Sequence, residues 1–281
     1  MSFLDVNGVA LAFEEGGGGE LTPLVFIHGH PFDRTMWRPQ LQAFAGSGRR
    51  LLAADLRGYG QSETTPGKVG LDVFAGDVDT LLTARGIRGP VVVCGLSMGG
   101  QIAMEVCRSF PERVAGLVLA ATTPQAETEE GRRARNAMAD RLLAEGLLPY
   151  ADETLPKMLS AESIAGLPEV AAHVLSMMRR SGSVGAAAAL RGRAERPDYQ
   201  ATLAAFPAPA LVVVGDRDAF TTSADAERMH ALLEGSELLW LEGSGHMPNL
   251  EREAEFNASL SRLLAIVDAC AAKGEVSHAV S

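Results

Sequence analysis

Only three cysteines occur in the 281 residues, Cys94, Cys107 and Cys270. They lack the C-x-x-C spacing of a zinc or redox site and are too few for a disulfide framework. Cys94 lies in an apolar run and Cys107 in a helical segment, where a thiol serves as a small packing group. Basic runs are missing too, and the net charge is −10. A phosphate backbone or an anionic membrane would need a basic patch, so neither nucleic acid nor membrane is expected as a partner. No stretch of about 18 uncharged apolar residues is present, so no transmembrane helix is expected. Met1–Gly8 lacks the basic stretch and apolar core of a secretory signal. A cytoplasmic location is the resulting expectation. Three tyrosines and two tryptophans leave little for a carbohydrate-stacking platform.

What is present is alternation. Short β-branched runs bounded by turn residues recur at 9–13, 24–27, 50–54, 91–94, 117–120 and 211–214. Gly16 to Gly19 reads as a flexible turn. Helical patterns lie between the runs, for example at 77–85 and 99–110. Strand and helix in regular succession predict an α/β fold with a parallel sheet covered on both faces. From about 124 to 207 the rhythm stops. Met138, Leu142 and Leu143, then Val170, Val174, Met177 and Met178, fall at helical spacing, and prolines at 149, 156, 168 and 197 punctuate the segment. The chain therefore divides into a core, 1–123 with 208–270, and a helical insertion, 124–207, suited to cover the sheet. The polar segment 271–281 is expected to be a frayed tail.

The sharpest signal is Val91-Val-Val-Cys-Gly-Leu-Ser97-Met-Gly99-Gly100. It is a G-x-S-x-G motif at the end of an apolar strand and the start of a helix. A serine on such an abrupt turn sits in strained backbone geometry, so its neighbours must be small, and Gly95 and Gly99 are. The helix that follows points its N-terminus at the turn, which favours developing negative charge.

With these residues the sequence resembles the α/β-hydrolase superfamily along nearly its whole length. His28-Gly29-His30-Pro31 looks like the family's oxyanion loop, and Asp55-Leu-Arg57-Gly58-Tyr-Gly60-Gln-Ser62 like its turn after the next strand. Gly243-Ser-Gly245-His246, with Pro248, looks like the catalytic-histidine loop. The resemblance implies a mostly parallel eight-stranded sheet flanked by helices, with a helical cap. It also implies a triad in the order Ser97, Asp218, His246. His246 would act as general base and acid, because imidazole exchanges protons near neutral pH. Gly215-Asp216-Arg217-Asp218 offers two carboxylates; the family's spacing points to Asp218, leaving Asp216 to the turn. Backbone amides of Met98 and His30 would form the oxyanion hole. His28, Arg57 and Ser62 read as bracing residues. A histidine at position 30 departs from the aromatic or apolar residue more usual there; it either contacts a polar substrate or packs.

Dehalogenases and epoxide hydrolases, also similar to this chain, use an aspartate nucleophile; serine suits acyl transfer instead. The runs from His28 to Trp37 and from Gly245 to Glu251 look similar to 3-oxoadipate enol-lactonases and to small arylesterases and cofactor-free perhydrolases. Nothing in the motifs asks for a metal, nucleotide or redox cofactor. The expected partner is a small or medium, moderately apolar acyl substrate, an ester or lactone. Its pocket is expected to be lined by Phe32, Trp37, Met138, Leu142, Met158, Phe220 and Met247. Rival readings are a lyase or ring-opening enzyme on the same triad, and a ligand receptor without turnover. High Ala, Gly and Arg usage suggests a GC-rich bacterial genome. The sequence carries no sign of oligomeric state.

Overall fold

The computed structural model describes residues 1–273. Two antiparallel strands, β1 (Ser2–Val6) and β2 (Val9–Gly17), open the chain. They are followed by β3 (Leu21–Ile27), α1 (Arg38–Ala43), β4 (Arg49–Ala54), α2 (Leu71–Ala84), β5 (Val91–Leu96), α3 (Met98–Ser109) and β6 (Val114–Ala120). Six helices come next: α4 (Glu129–Glu145), α5 (Leu148–Met158), α6 (Ala161–Gly166), α7 (Pro168–Arg180), α8 (Ser183–Arg193) and α9 (Gln200–Ala204). The α/β alternation resumes with β7 (Ala210–Gly215), α10 (Ser223–Leu232) and β8 (Glu237–Leu241), and ends in α11 (Pro248–Glu251) and α12 (Glu253–Lys273).

The strands form one sheet in the order β1-β2-β4-β3-β5-β6-β7-β8. Pairing is parallel from β4 through β3 and on to β8, and antiparallel at the β1–β2 and β2–β4 edge. Strands β5, β6 and β7 are buried at every position. Their side chains alternate between two cores, as strand geometry requires. Val91, Val93, Leu117, Leu119, Val212 and Val214 face one core, which holds α2, α3, α8 and α10. Val92, Cys94, Leu96, Val118, Leu211 and Val213 face the other, which holds α12 and the segment around Trp37. The α/β class and mostly parallel sheet are thus as the sequence indicates.

Several local details differ from expectation. Gly16 and Gly17 belong to β2 and pair with Leu51 and Arg50 rather than forming a loose turn. Helix α2 begins at Leu71, six residues before the expected start, because Leu71, Phe74 and Ala75 already pack into the core. Helix α12 runs to Lys273, so residues 271–273 are helical rather than tail; Ala271 and Ala272 are good helix formers. The rest of the expected tail lies outside the described residues. No helix among the described residues is long and apolar enough to cross a membrane.

The inserted helices are seated by glycines. Helix α8 buries Gly185, Ala186, Ala187, Ala188, Ala189, Leu190, Gly192 and Arg193. A Cβ at Gly185 would overlap the Gly58 backbone, and one at Gly192 the Val69 carbonyl. Without those side chains α8 sinks onto the turn after β4 and the lead into α2, where Val69 N–H donates to Ala188 O at 3.1 Å. Packing at this density tolerates no added methyl.

Candidate active site

Ser97 sits at the junction of β5 and α3 with φ 56° and ψ −114°, a left-handed conformation unusual for a residue with a side chain. Its surroundings impose it. A Cβ at Gly95 would overlap Gly99, one at Gly99 would overlap the Ile27 carbonyl, and one at Gly100 would strike Thr122. Ser97 N–H donates to Ala120 O at 2.9 Å, and its carbonyl accepts from the Thr122 hydroxyl at 2.8 Å. Strain of this kind persists only where the surroundings over-determine it.

His246 lies in the loop between β8 and α11, with its ring buried. Its Nδ1 lies 2.9 Å from both Oδ1 and Oδ2 of Asp218. Asp218 follows β7; its Oδ1 also accepts from the amides of Phe220 at 2.8 Å and Thr221 at 3.1 Å. Burial opposes the charge on Asp218, but the facing His246 ring and the two amides outweigh it and hold the carboxyl below its ordinary value. Asp216 instead accepts the Gly243 amide at 2.7 Å and braces the turn. Ser97, His30, Phe220 and His246 line one cavity of about 440 Å³. The Phe220 ring packs at 4.8 Å from the His246 ring, centroid to centroid.

The bracing residues behave as their positions suggest. His28 is fully buried; its Nε2 accepts the Leu56 amide at 2.9 Å, and Nδ1 donates to Gly29 O at 2.8 Å. Burial pushes its pKa down, consistent with a neutral ring. Arg57 forms a bidentate pair with Asp77 at 2.8 Å. Ser62 links Asp55 O to the Ala12 amide. His30 opens the loop of which His30–Pro31 is a cis peptide, and its side chain lines the cavity. Its Nδ1 lies 2.8 Å from the Tyr59 hydroxyl, while Nε2 is buried without a partner.

Of the seven expected pocket residues, Met138, Met158 and Phe220 line the cavity, and Phe32, Trp37, Leu142 and Met247 do not. Phe32 and Trp37 are wholly buried, Trp37 stacked on Phe26 at 5.0 Å. Leu142 points into the core beneath α4, and Met247 into the core under the sheet. In each case burial of a large apolar side chain, not a place beside Ser97, decides the orientation. The cavity is also more polar than expected. Gln101, Thr122, Glu127, Arg135, Tyr150, Thr154 and Arg193 share its wall with the apolar groups. Glu127 is gripped by Arg135 and by Arg196, the latter at 2.6 Å. Burial works against its charge, but the two guanidinium groups prevail and lower its pKa to about 2.

Glu251 is a further functional candidate, which the sequence places in the histidine motif without giving it a task. It is buried, and Oε1 accepts the amides on both sides of His246, Gly245 at 2.9 Å and Met247 at 3.1 Å. Its Oε2 accepts the Ser160 amide at 2.9 Å, and His246 N–H donates to Met158 O at 3.0 Å. The histidine loop is thereby tied to the α5–α6 junction. The available signal was a carboxylate five residues after the histidine of the Gly243-Ser-Gly245-His246 loop.

Comparison with known proteins adds the following. Residues 24–259 match the alpha/beta hydrolase family. The chain is 27% identical over 261 residues to 3-oxoadipate enol-lactonase 2 of Acinetobacter baylyi, a match spanning 93% of this chain and 95% of the lactonase. It is 34% identical over 118 residues to a non-heme chloroperoxidase of Streptomyces lividans, 42% of this chain and 43% of that protein. Among solved structures it superposes on a thermophilic esterase from Thermogutta terrifontis, in a malate-bound form, with a TM-score of 0.92. That similarity is 32% identity over 95% of this chain and 100% of the esterase.

Proposed function

Because the chain belongs to the α/β-hydrolase family, we propose that it hydrolyses carboxylic esters or lactones through an acyl-enzyme on Ser97. One observation carries the reading: a serine strained at a strand-to-helix turn shares a cavity with a histidine whose Nδ1 is held by a buried aspartate. Ser97 Oγ attacks the carbonyl as His246 Nε2 takes its proton. The same imidazolium then protonates the leaving alkoxide. Asp218 holds His246 in the tautomer with Nδ1–H and stabilises the imidazolium. Water, activated by His246, attacks the acyl-enzyme and releases the acid.

The amides of Met98 and His30 serve the tetrahedral oxyanion. Met98 opens α3, where the first amides of a helix lack intrahelical acceptors. Loss of one such donor typically costs about 10²–10³ in rate. Segment 124–207 acts as the cap, contributing Met138, Tyr150, Met158 and Arg193 to the cavity. Peroxide in place of water at deacylation would release a peracid from the same acyl-enzyme. The partial similarity to a chloroperoxidase makes this the second reading.

The test is labelling by a fluorophosphonate, with turnover of p-nitrophenyl esters from acetate to octanoate and of a simple lactone, for wild type and Ser97→Ala. Labelling and turnover by wild type alone are expected. A labelled protein that turns over none of these substrates would overturn the hydrolytic reading. An unlabelled protein would overturn the assignment of Ser97. Peracid formation with added peroxide at rates above hydrolysis would favour the second reading.

A further inference from the structure

Six arginines are buried among the described residues: Arg34, Arg49, Arg57, Arg113, Arg193 and Arg196. Five of them are paired with a carboxylate, with Asp55, Asp268, Asp77, Asp79 and Glu127 respectively. Arg193 is the exception. It is 7% exposed and lines the cavity beside Ser97, yet forms no ion pair among the described residues. Its one side-chain hydrogen bond runs from Nε to Gln101 Oε1 at 3.0 Å. The two terminal amino groups have no partner among the described residues. Burial and the like charges of Arg135 and Arg196 work against its charge, while the Tyr59 and Tyr150 hydroxyls favour it. Glu127, the carboxylate among them, is already shared by those two arginines.

We propose that Arg193 is an anion subsite, and that the acyl substrate carries a carboxylate which this guanidinium binds. Arginine does not lose its proton in proteins, so a buried one keeps its charge and requires an opposite charge to offset the loss of hydration. The chain supplies that charge at the five other buried arginines and withholds it here, at the wall of a cavity open to ligand. The planar fork of a guanidinium matches a carboxylate in a bidentate pair. A carboxylate is the partner that the other five buried arginines have and that Arg193 lacks. The proposal rests on the acyl-transfer reading for the molecule that bears the carboxylate, whereas the subsite itself does not depend on it.

The kinetic test compares p-nitrophenyl valerate with the mono-p-nitrophenyl ester of glutaric acid, whose acyl chain differs only by carboxylate for methyl. Wild type, Arg193→Lys and Arg193→Gln are assayed for the ratio of kcat/KM, glutaryl to valeryl. The ratio falls by about 10- to 100-fold in Arg193→Gln, the range of a charge-assisted hydrogen-bond pair. It falls less in Arg193→Lys, which keeps the charge without the fork and serves if the glutamine variant does not fold. A binding test needs no turnover: glutarate raises the Tm of Ser97→Ala, fails to do so once Arg193→Gln is added, and raises it less once Arg193→Lys is added. An unchanged ratio together with no effect of glutarate on Tm would overturn the subsite. Inorganic phosphate stabilising Ser97→Ala as strongly as glutarate would overturn the carboxylate assignment. Glutarate binding that depends on Arg193 in a protein that cleaves neither ester would sink the acyl-transfer reading and leave the subsite standing.

Discussion

The cavity has two walls built by different rules. One is the carboxyl end of β5, β6 and β7, where Ser97 and Asp218 are delivered by turns whose backbone has almost no freedom: Gly95, Gly99 and Gly215 each face a main chain that a methyl would strike. The other is the inserted segment, where α4, α5 and α8 bring Met138, Arg135, Tyr150, Met158 and Arg193 from a packing of helix on helix. The first wall is specified by local sterics and hydrogen bonds a few residues long. The second depends on how a whole helix is rotated and how deeply it is seated. Chemistry is thus proposed to reside where geometry is locally enforced, and selectivity where it is set by packing.

Substitutions that strike the first wall have the largest expected effects. Ser97→Ala lowers kcat for p-nitrophenyl esters by up to about 10⁶, with the fold retained by circular dichroism. Asp218→Asn lowers kcat by about 10⁴ while KM changes little, because the asparagine favours the wrong imidazole tautomer. Glu251→Ala leaves three buried amides without an acceptor, so stability falls by about 3 kcal/mol or more in urea unfolding. Against these, Met138→Ala on the second wall shifts KM by a few-fold and alters chain-length preference with kcat nearly kept; each buried methylene is worth about 0.8 kcal/mol. A Met138→Ala variant that lost kcat as severely as Asp218→Asn would break the division between the walls.

Acid titration tests both walls together. Asp218 and Glu127 have pKa values below their ordinary ones. A carboxylate whose folded pKa is depressed adds stability that is fully present above its unfolded value, near 4, and lost as pH falls through the folded value. Stability measured by urea unfolding is therefore expected to decline from about pH 5 toward pH 2. Glu127→Gln removes part of that slope, since its folded value is about 2. A slope unchanged in Glu127→Gln would show that its arginine pairs contribute nothing to the native state's preference.

These differences explain what could be read from the sequence. The runs at 91–94, 117–120 and 211–214 announce β5, β6 and β7, because a strand buried on both faces must be apolar throughout. The G-x-S-x-G junction and the Asp218 and His246 loops follow from the same strand ends. The edge strands β1 and β8 are half-exposed and lack that signature. In the insertion, helical spacing identifies the helices but not which residues of a doubly packed helix face the cavity. Leu142 and Met138 lie one turn apart on α4, yet Leu142 enters the core and Met138 the cavity. Arg193 was invisible for the same reason: at the end of an alanine-rich helix its charge suggests solvent, and only the seating of Gly185 and Gly192 turns it inward.

The ties from Glu251 to Ser160 and from His246 to Met158 have a mechanical consequence. They fasten the covering helices, at the α5–α6 corner, to the same loop that aims the imidazole. A covering layer pinned there, and again where Gly185 and Gly192 seat α8 on Gly58 and Val69, cannot lift as a flat plate; it yields most readily along α4, which buries only Ala139 and Leu142, as a door yields opposite its hinge. Substrate entry and imidazole aim are then separate degrees of freedom. Loosening the latch side should speed product release, whereas loosening the hinge would blur the direction of proton transfer.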